Sequence, residues 1–332
     1  MKLLPKLLAV AATCCVVGIY TGANAQTKIP LKLGWTTTDA QTDPYAIGAR
    51  AFAQALSEDP NGKVFDVQFY PNRQLGDEKA LLEGLRMGTA QAGLITNAVT
   101  SQIEPAFLLN DLPFLYSSSD QAYEVLDGEI GQILADKISS KGITLMGYMG
   151  GGFRNMINNV RPVSTPEDVA GAKYRVMQSP IYIGMYEALG GNPVPMAWSE
   201  TYTAVQQGAL DGLEIPLSVI DSTKSYEIAK YLSLTNHTFS VIELLFNKRW
   251  LDKLTPAQQE AIAKASKVAV EKQRVASEEN ANQLVTVLAD KGMVVNEVAS
   301  MDQFRDKVKP VYEQFRPQIG ADLLDKALTR VQ

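Results

Sequence analysis

The 332-residue sequence has very few of the side chains that carry metal and nucleophilic chemistry. It contains one histidine, His237, and its two cysteines, Cys14 and Cys15, both lie near the N-terminus. The histidine count excludes a histidine-rich metal site, and we expect neither a metal nor a cofactor. A Ser/His/Asp hydrolase could be built only around His237, and no Gly-x-Ser-x-Gly motif accompanies that residue. A secreted hydrolase using His237 stays as the alternative of another class, whereas we expect that the chain is not an enzyme.

Clusters of basic residues are also absent from the sequence. Thirty-one Lys and Arg residues stand against 36 Asp and Glu residues, which gives a formal net charge of −5. Nucleic acids and anionic lipids attract concentrated positive charge, so we expect neither as a partner.

Only the N-terminal segment contains a long apolar run. Lys2 and Lys6 come before this run, and Ala23-Asn24-Ala25 supplies the small residues of a cleavage site. The run is shorter than the roughly 20 residues that a membrane-spanning helix needs, which disfavours an anchor. We predict a signal peptide over residues 1–25 and an exported mature chain without cysteine, long enough for two domains.

Strand-like and helical patterns alternate along the rest of the chain and predict an α/β fold. Apolar or alternating runs predict strands, and segments with helical spacing separate the first of them. The first three strands and two helices give a βαβαβ order, which favours a mainly parallel sheet. The predicted strands cover residues 31–35, 64–70, 91–96, 144–149, 173–177, 212–216 and 235–247.

The C-terminal third is predicted to be mostly helical. A helical pattern begins at Thr255 and continues to about Asp290. Such a helix would be about 50 Å long at ~1.5 Å per residue, which exceeds one small domain, so we expect it to brace two domains. Residues 301–332 predict two further helices. Upstream, one helix is expected from Asp120 to near Gly142, and another at Ser164.

Two arginines lie beside strand-like segments in the middle of the chain. Arg154 follows Gly150-Gly151-Gly152, which we interpret as a tight turn or hinge, and Arg175 lies in an alternating segment. Both are expected near strand ends, where α/β sheets bind small ligands. Because a guanidinium can hold a carboxylate through two parallel hydrogen bonds, the pattern predicts a carboxylate receptor. The alternative is that both arginines form ordinary surface ion pairs.

Several segments, in order along nearly the whole chain after residue 25, resemble one family. This family comprises the solute-binding receptors of tripartite ATP-independent periplasmic (TRAP) transporters, of the C4-dicarboxylate-binding type. The matching segments are YPNRQLGDE (70–78), GFRN (152–155), RPV (161–163), PEDVAGAKYRV (166–176), LGGNPVPM (189–196), ETYTAVQQGALDG (200–212) and YLSLTNH (231–237).

The resemblance implies a two-domain periplasmic binding protein that closes on a small organic acid. It implies delivery of the acid to a sodium-coupled TRAP membrane permease, and we expect a monomer. Domain I would comprise residues 26–150 and 240–280, and domain II residues 151–239 and 281–332, with the ligand cleft between them. Hinges are expected near Gly150–Gly152 and Ser240.

The resemblance also implies roles for individual residues. Arg175 matches the arginine that pairs with the ligand carboxylate, and Arg154 a second arginine near the ligand. The positions where ligand hydroxyls are usually met are Thr36, Glu78 or Asp77, and Thr96 with Asn97. Trp198 falls at an apolar position beside the ligand, and core packing is the alternative for both Trp198 and Trp35.

The motif Gly212-Leu213-Glu214-Ile215-Pro216 departs from the family pattern, because many relatives have an asparagine where this chain has Ile215. Glu214 and Ile215 are therefore candidate ligand neighbours, and isoleucine adds apolar surface without a donor. This favours a monocarboxylate with an apolar portion, such as a sugar, hydroxy, 2-oxo or aromatic acid. A C4-dicarboxylate stays as the alternative within the family, and a second carboxylate would need a further cation.

Overall fold

The structure is a computed structural model that describes residues 28–331. The predicted signal peptide, with Cys14 and Cys15, lies outside the described residues. Within residues 28–331, no helix is both long enough and apolar enough to cross a membrane.

The described part of the chain contains nine strands and twelve α-helices. The strands are β1 Ile29–Gly34, β2 Phe65–Tyr70, β3 Ala92–Thr96, β4 Ile143–Asn158, β5 Lys173–Val176, β6 Asn192–Pro195, β7 Gly212–Pro216, β8 Tyr231–Asn247 and β9 Val294–Glu297. The helices are α1 Pro44–Glu58, α2 Glu78–Met87, α3 Asn97–Thr100, α4 Ser119–Asp127, α5 Glu129–Ser139, α6 Pro180–Ala188, α7 Trp198–Gln206, α8 Leu217–Ser222, α9 Lys248–Leu251, α10 Pro256–Asp290, α11 Met301–Ile319 and α12 Ala321–Val331. The predicted α/β class is confirmed.

All nine strands belong to one hydrogen-bonded sheet. Its order is β2-β1-β3-β8-β4-β7-β5-β6, and β9 pairs with β8. The predicted parallel pairing is confirmed for β1 with β2 and β3, and β5 is parallel to β6 and β7. The prediction of parallel pairing is wrong for the middle of the sheet, where β4 and β8 run antiparallel to each other. In addition, β4 is antiparallel to β7, and β8 is antiparallel to β3. These two long strands connect the two parallel ends of the sheet.

The glycine run does not form the predicted tight turn, because it lies inside β4. The register of β4 against β8 shifts between Gly150 and Gly152, and Gly152 has φ of 87°, a left-handed conformation that glycine adopts without strain. A Cβ on Gly150 would collide with the hydroxyl of Tyr123. The three glycines thus allow a β-bulge inside the strand, at the place where the sequence predicted that the strand ends. Arg154 consequently lies in the interior of β4, contrary to expectation.

The predicted long helix is confirmed as α10, with 35 residues. Thr255 caps it, and the Thr255 and Gln258 side chains form a reciprocal capping box. The helix packs against α1 and β4 and also contacts α8 and β9. The two predicted C-terminal helices are confirmed as α11 and α12.

Two other helix predictions need correction. The helix expected from Asp120 to near Gly142 is divided at Gly128 into α4 and α5. The helix expected at Ser164 is a single 3-10 turn, Pro166–Val169. Gly171 follows this turn, and β5 begins two residues later. Short segments of this kind carry a helix start signal without enough following residues for an α-helix. The division into two domains stays a prediction.

Gln273, near the middle of α10, joins this helix to the bulge in β4. Its side chain is fully buried. Its Oε1 accepts a hydrogen bond from the Gly150 N–H at 3.0 Å, and its Nε2 donates to the Gly150 carbonyl at 2.7 Å. One amide thereby satisfies both backbone groups of a residue at an irregular point of the sheet.

Replacing Gln273 with alanine is expected to lower the free energy of unfolding by about 2 kcal/mol, because it leaves a buried N–H without its partner. Urea denaturation followed by circular dichroism measures this change. Lys272→Ala, at the exposed neighbouring position, is the control and should change stability by less than about 0.5 kcal/mol. Equal effects of the two substitutions would show that the Gln273 amide contributes nothing specific.

Candidate functional site

A cavity of about 520 Å³ collects most of the predicted ligand-binding residues. It is lined by residues that follow strands, begin helices or lie within strands such as β4, β5 and β7. The predicted residues on its lining are Thr36 after β1, Glu78 at the start of α2, Arg154 in β4, Arg175 in β5, Trp198 at the start of α7 and Ile215 in β7. Asp77 and Thr96, which were also considered, line the same cavity. Elements far apart in the sequence therefore contribute to one concave site.

Arg175 is a buried cation without a carboxylate partner. Only 2% of the residue is exposed, and it forms no ion pair with any acidic side chain among residues 28–331. Its Nε and Nη2 donate to the carbonyl of Met196 at 3.0 and 2.8 Å, and its guanidinium lies 5.7 Å from the centre of the Trp198 ring. Burial lowers the pKa of Arg175 to about 10, although Glu214 acts in the opposite direction. An anion in the cavity would restore the balance of charge.

Arg154, in contrast, already has a carboxylate partner. Its Nη2 donates to Glu214 Oε1 at 2.9 Å and to the Glu214 carbonyl at 2.6 Å, and its Nε donates to Glu214 Oε2. Burial alone would raise the pKa of the Glu214 carboxyl, but the charge of Arg154 and the hydrogen bonds from His237 and Arg154 together outweigh burial and lower this pKa to about 2. The pair is therefore ionised, and its charges cancel locally.

Glu78 is the buried acidic residue of the cavity lining. Its Oε1 accepts hydrogen bonds from the Thr96 N–H at 3.0 Å and the Thr96 hydroxyl at 2.8 Å. It forms no ion pair in the described part of the chain. Burial raises the pKa of Glu78, and the hydrogen bonds from Thr96 oppose this shift. Arg175 and Glu78 thus give the cavity both a basic and an acidic group.

Three of the predicted site residues do not reach the cavity lining. Trp35 is buried in the apolar core, where its indole N–H donates to the Thr38 carbonyl at 3.1 Å. Asn97 is buried too, and its amide donates to Asp111 at 2.8 Å. Glu214 is covered by Arg154, with which it pairs. The sequence placed these residues next to site residues, but their side chains serve packing or pairing instead.

Several residues of the lining were not selected from the sequence. They include apolar and small polar side chains: Thr37, Tyr45, Val99, Met177, Met196, Pro216 and Val219. Met177 and Met196 lie just beyond β5 and β6, where strand ends border a cleft. Their position after predicted strands could have identified the two methionines as site residues. Nothing in the local sequence of Tyr45 indicated that it lines a site.

His237 does not support a hydrolase. The residue is fully buried, with Nδ1 2.8 Å from the Thr235 hydroxyl and Nε2 3.4 Å from Glu214 Oε2. The Glu214 carboxylate, the His237 imidazole and the Thr235 hydroxyl are thus arranged in the order of a catalytic triad. However, Thr235 and Glu214 are fully buried as well, so no substrate can reach the hydroxyl. Burial also lowers the pKa of His237. Among residues 28–331, no three His, Cys, Asp or Glu side chains are grouped to hold a metal ion.

Comparisons with known proteins agree with this geometry. The family described as bacterial extracellular solute-binding protein, family 7, matches residues 36–318. The 2,3-diketo-L-gulonate-binding periplasmic protein of Escherichia coli is 32% identical over 306 residues, which cover 91% of this chain and 92% of that protein.

Solved structures resemble the chain over similar lengths. A TRAP periplasmic solute-binding protein from Polaromonas bound to D-erythronate has a TM-score of 0.87 and 32% identity, covering 91% of this chain and 98% of the other. One from Bordetella, with density interpreted as pantoate, has a TM-score of 0.86 and 34% identity, covering 90% and 98%.

These matches confirm the predicted periplasmic binding protein fold. They also agree with the cavity and with the sealed position of His237, because the matching family is described as one of solute-binding proteins. The chain belongs to family 7 of the bacterial extracellular solute-binding proteins, the receptor family of TRAP transporters.

Proposed function

We propose that this chain is a periplasmic receptor that binds a small organic monocarboxylic acid through Arg175 and delivers it to a sodium-coupled TRAP permease. The observation that carries the proposal is the buried guanidinium of Arg175, which lines the cavity without an acidic partner among residues 28–331. In the described part of the chain, its Nη1 has only the Met177 sulfur as an acceptor, at 3.4 Å. Sulfur is a weak acceptor, so a ligand carboxylate is the stronger partner for this group.

Preference for one carboxylate follows from the other cations near the cavity. Glu214 already neutralises Arg154. Lys79 also lines the cavity, but it is exposed and therefore remains hydrated. Arg50 and Arg86 form exposed ion pairs with Asp39 and Glu83. A second carboxylate would thus find no buried cation among residues 28–331 that is free to receive it.

The apolar side chains of the cavity lining favour a ligand that has an apolar face, formed by its carbon skeleton. Ile215, Val219 and Trp198 line the cavity together with the two methionines near Arg175. The Escherichia coli relative is a 2,3-diketo-L-gulonate-binding protein, the Polaromonas protein is bound to D-erythronate, and density in the Bordetella protein is interpreted as pantoate. These are hydroxylated or oxidised monocarboxylic acids, and we propose this class for the present chain.

Hydrogen bonds between the two predicted domains support binding by closure of a cleft. The Ser199 hydroxyl donates to Asp77 Oδ2 at 2.7 Å, and the Ser222 hydroxyl donates to Asp43 Oδ2 at 3.0 Å. In the proposed mechanism, the acid first contacts Arg175, and rotation of domain I then brings Thr36 and Glu78 over it. Closure removes water and strengthens the charged hydrogen bonds. Trp35, Asn97 and Glu214 would not contact the ligand but would support the residues that line the cavity.

A thermal-shift screen tests the proposal. The mature protein is refolded to remove any bound ligand and is then measured with organic acids and with the corresponding amides. We expect an acid to raise the unfolding temperature in a concentration-dependent manner, whereas its amide does not. Calorimetric titration of that acid then gives its dissociation constant.

Two results would contradict this function. Equal stabilisation by an acid and its amide would show that no cation recognises the carboxylate. Stabilisation by succinate but by no monocarboxylate would show that the chain is a dicarboxylate receptor and that the cavity offers a second cation after all.

A further inference from the structure

Met177 brings a thioether sulfur into contact with the guanidinium of Arg175. Its Sδ lies 3.4 Å from Arg175 Nη1, which has no oxygen acceptor among residues 28–331. Both residues line the cavity, and 7% of Met177 is exposed. Met196 lines the cavity as well, but Arg175 contacts its backbone carbonyl and not its sulfur. One oxidisable sulfur is thus the immediate neighbour of the group that is proposed to bind the carboxylate.

Oxidation converts this weak acceptor into a strong one. When hydrogen peroxide reacts with a thioether, a lone pair of Sδ attacks one peroxide oxygen, so that the S–O bond forms and the O–O bond breaks. The sulfur loses two electrons, and the leaving hydroxide takes the proton of the transferred oxygen and departs as water. The product is a sulfoxide, whose oxygen carries partial negative charge and has no proton to donate.

We propose that Met177 is a peroxide-sensitive modification site and that its sulfoxide occupies Arg175 and prevents binding of the organic acid. This inference rests on the proposed function, since it requires that Arg175 holds the ligand carboxylate. The oxidant class is a small two-electron oxidant that transfers one oxygen atom. Because the methionine side chain is unbranched and flexible, the sulfoxide oxygen can turn toward Nη1. There it takes the place of a carboxylate oxygen.

The sulfoxide competes with the acid from within the protein. A hydrogen bond from a charged guanidinium to an oxygen is stronger than one to a thioether sulfur. The sulfoxide is already attached to the chain, whereas an acid from solution loses translational freedom when it binds. Nε and Nη2 of Arg175 also donate to the Met196 carbonyl. Occupation of Nη1 therefore leaves none of the three nitrogens without an oxygen acceptor.

A bound acid is expected to protect Met177 from oxidation. Its carboxylate fills the space beside Nη1, and closure of the cleft excludes peroxide from the sulfur. We expect a saturating concentration of acid to slow oxidation of Met177 at least about fivefold. Met87, at the end of α2, is 70% exposed and is not part of the cavity lining. It is the internal control, and its oxidation rate should stay within about twofold when the acid is added.

Peptide mass spectrometry and calorimetric titration test the proposal on the mature protein after treatment with hydrogen peroxide. Mass spectrometry gives the fraction of each methionine that has gained an oxygen atom. Titration with the acid that gives the largest thermal shift gives the dissociation constant before and after treatment. We expect at least about tenfold weaker binding once Met177 is oxidised. A native circular dichroism spectrum of the oxidised protein excludes unfolding as the cause.

Two matched variants assign the effect to one sulfur. Met177→Leu keeps a similar side-chain volume without sulfur, so peroxide is expected to change its dissociation constant by less than about twofold. Met196→Leu removes the other sulfur of the cavity lining, and its affinity should still fall at least about tenfold after treatment. Each variant is compared with itself before and after peroxide, so the effect of the substitution alone cancels.

The outcomes separate this inference from the proposed function. If Met177 is oxidised and the dissociation constant rises by less than about twofold, the role of the sulfoxide is wrong and the proposed function stands. The same conclusion follows if Met177→Leu loses affinity as the unaltered protein does, or if Met87 is oxidised while Met177 is not in the protein without acid. If no organic acid binds the untreated protein, the proposed function fails and this inference fails with it.

Discussion

Replacing Arg175 with alanine is expected to weaken binding of the organic acid by about 30-fold to several thousand-fold, or about 2–5 kcal/mol. The acid would still lose its water when the cleft closes, but its carboxylate would be buried without a cation. Since Glu214 already neutralises Arg154, that arginine cannot replace the lost charge. Calorimetric titration with the acid that gives the largest thermal shift measures the effect.

Two further variants sharpen the test of Arg175. Arg175→Lys keeps the charge, but a single ammonium group cannot form two parallel hydrogen bonds, so we expect a loss of at least about tenfold. Arg161→Ala removes an exposed arginine from the segment before β5 and should leave the affinity within about twofold. A loss of less than about threefold for Arg175→Ala would rule out Arg175 as the carboxylate partner.

The elements of the fold were predictable where the signal is local. The 35 residues of α10 follow a capping box at Thr255, and α1 begins at a proline that Asp43 caps. Both signals lie within a few residues of the helix start. The glycine run was misinterpreted because glycine permits either a turn or a bulge, and only the pairing of β4 with β8 decides between them.

The composition of the site was predictable in part. Arg175 and Glu78 were selected, and both line the cavity. The neutralisation of Arg154 was not predicted, because it depends on the pairing of β4 with β7, which brings Glu214 beside it across 60 positions of sequence. The contact of Thr96 with Glu78 likewise depends on the packing of the end of β3 against the start of α2. Charge pairing between distant residues is a property of the tertiary structure, so a single sequence does not show it.

Replacing Glu214 with alanine is expected to lower the free energy of unfolding by about 3–5 kcal/mol, the largest stability effect that we predict for one substitution. The carboxylate is fully buried and accepts two hydrogen bonds from Arg154. Removing it leaves a guanidinium that is buried without a counter-charge and an empty space next to His237. Urea denaturation measures the loss, and Asp252→Ala in the exposed pair with Lys248 should cost less than about 1 kcal/mol.

A double variant separates the cost of the unpaired charge from the value of the ion pair. Arg154→Met combined with Glu214→Leu replaces both charges by apolar side chains, so no buried charge remains without a partner. We expect this protein to be more stable than Glu214→Ala alone, although it has lost both ionic groups. If the double variant were less stable than the unaltered protein, the attraction between the two charges would exceed the cost of burying them. The pair would then stabilise the fold directly, and neutralising Arg154 would be a secondary consequence.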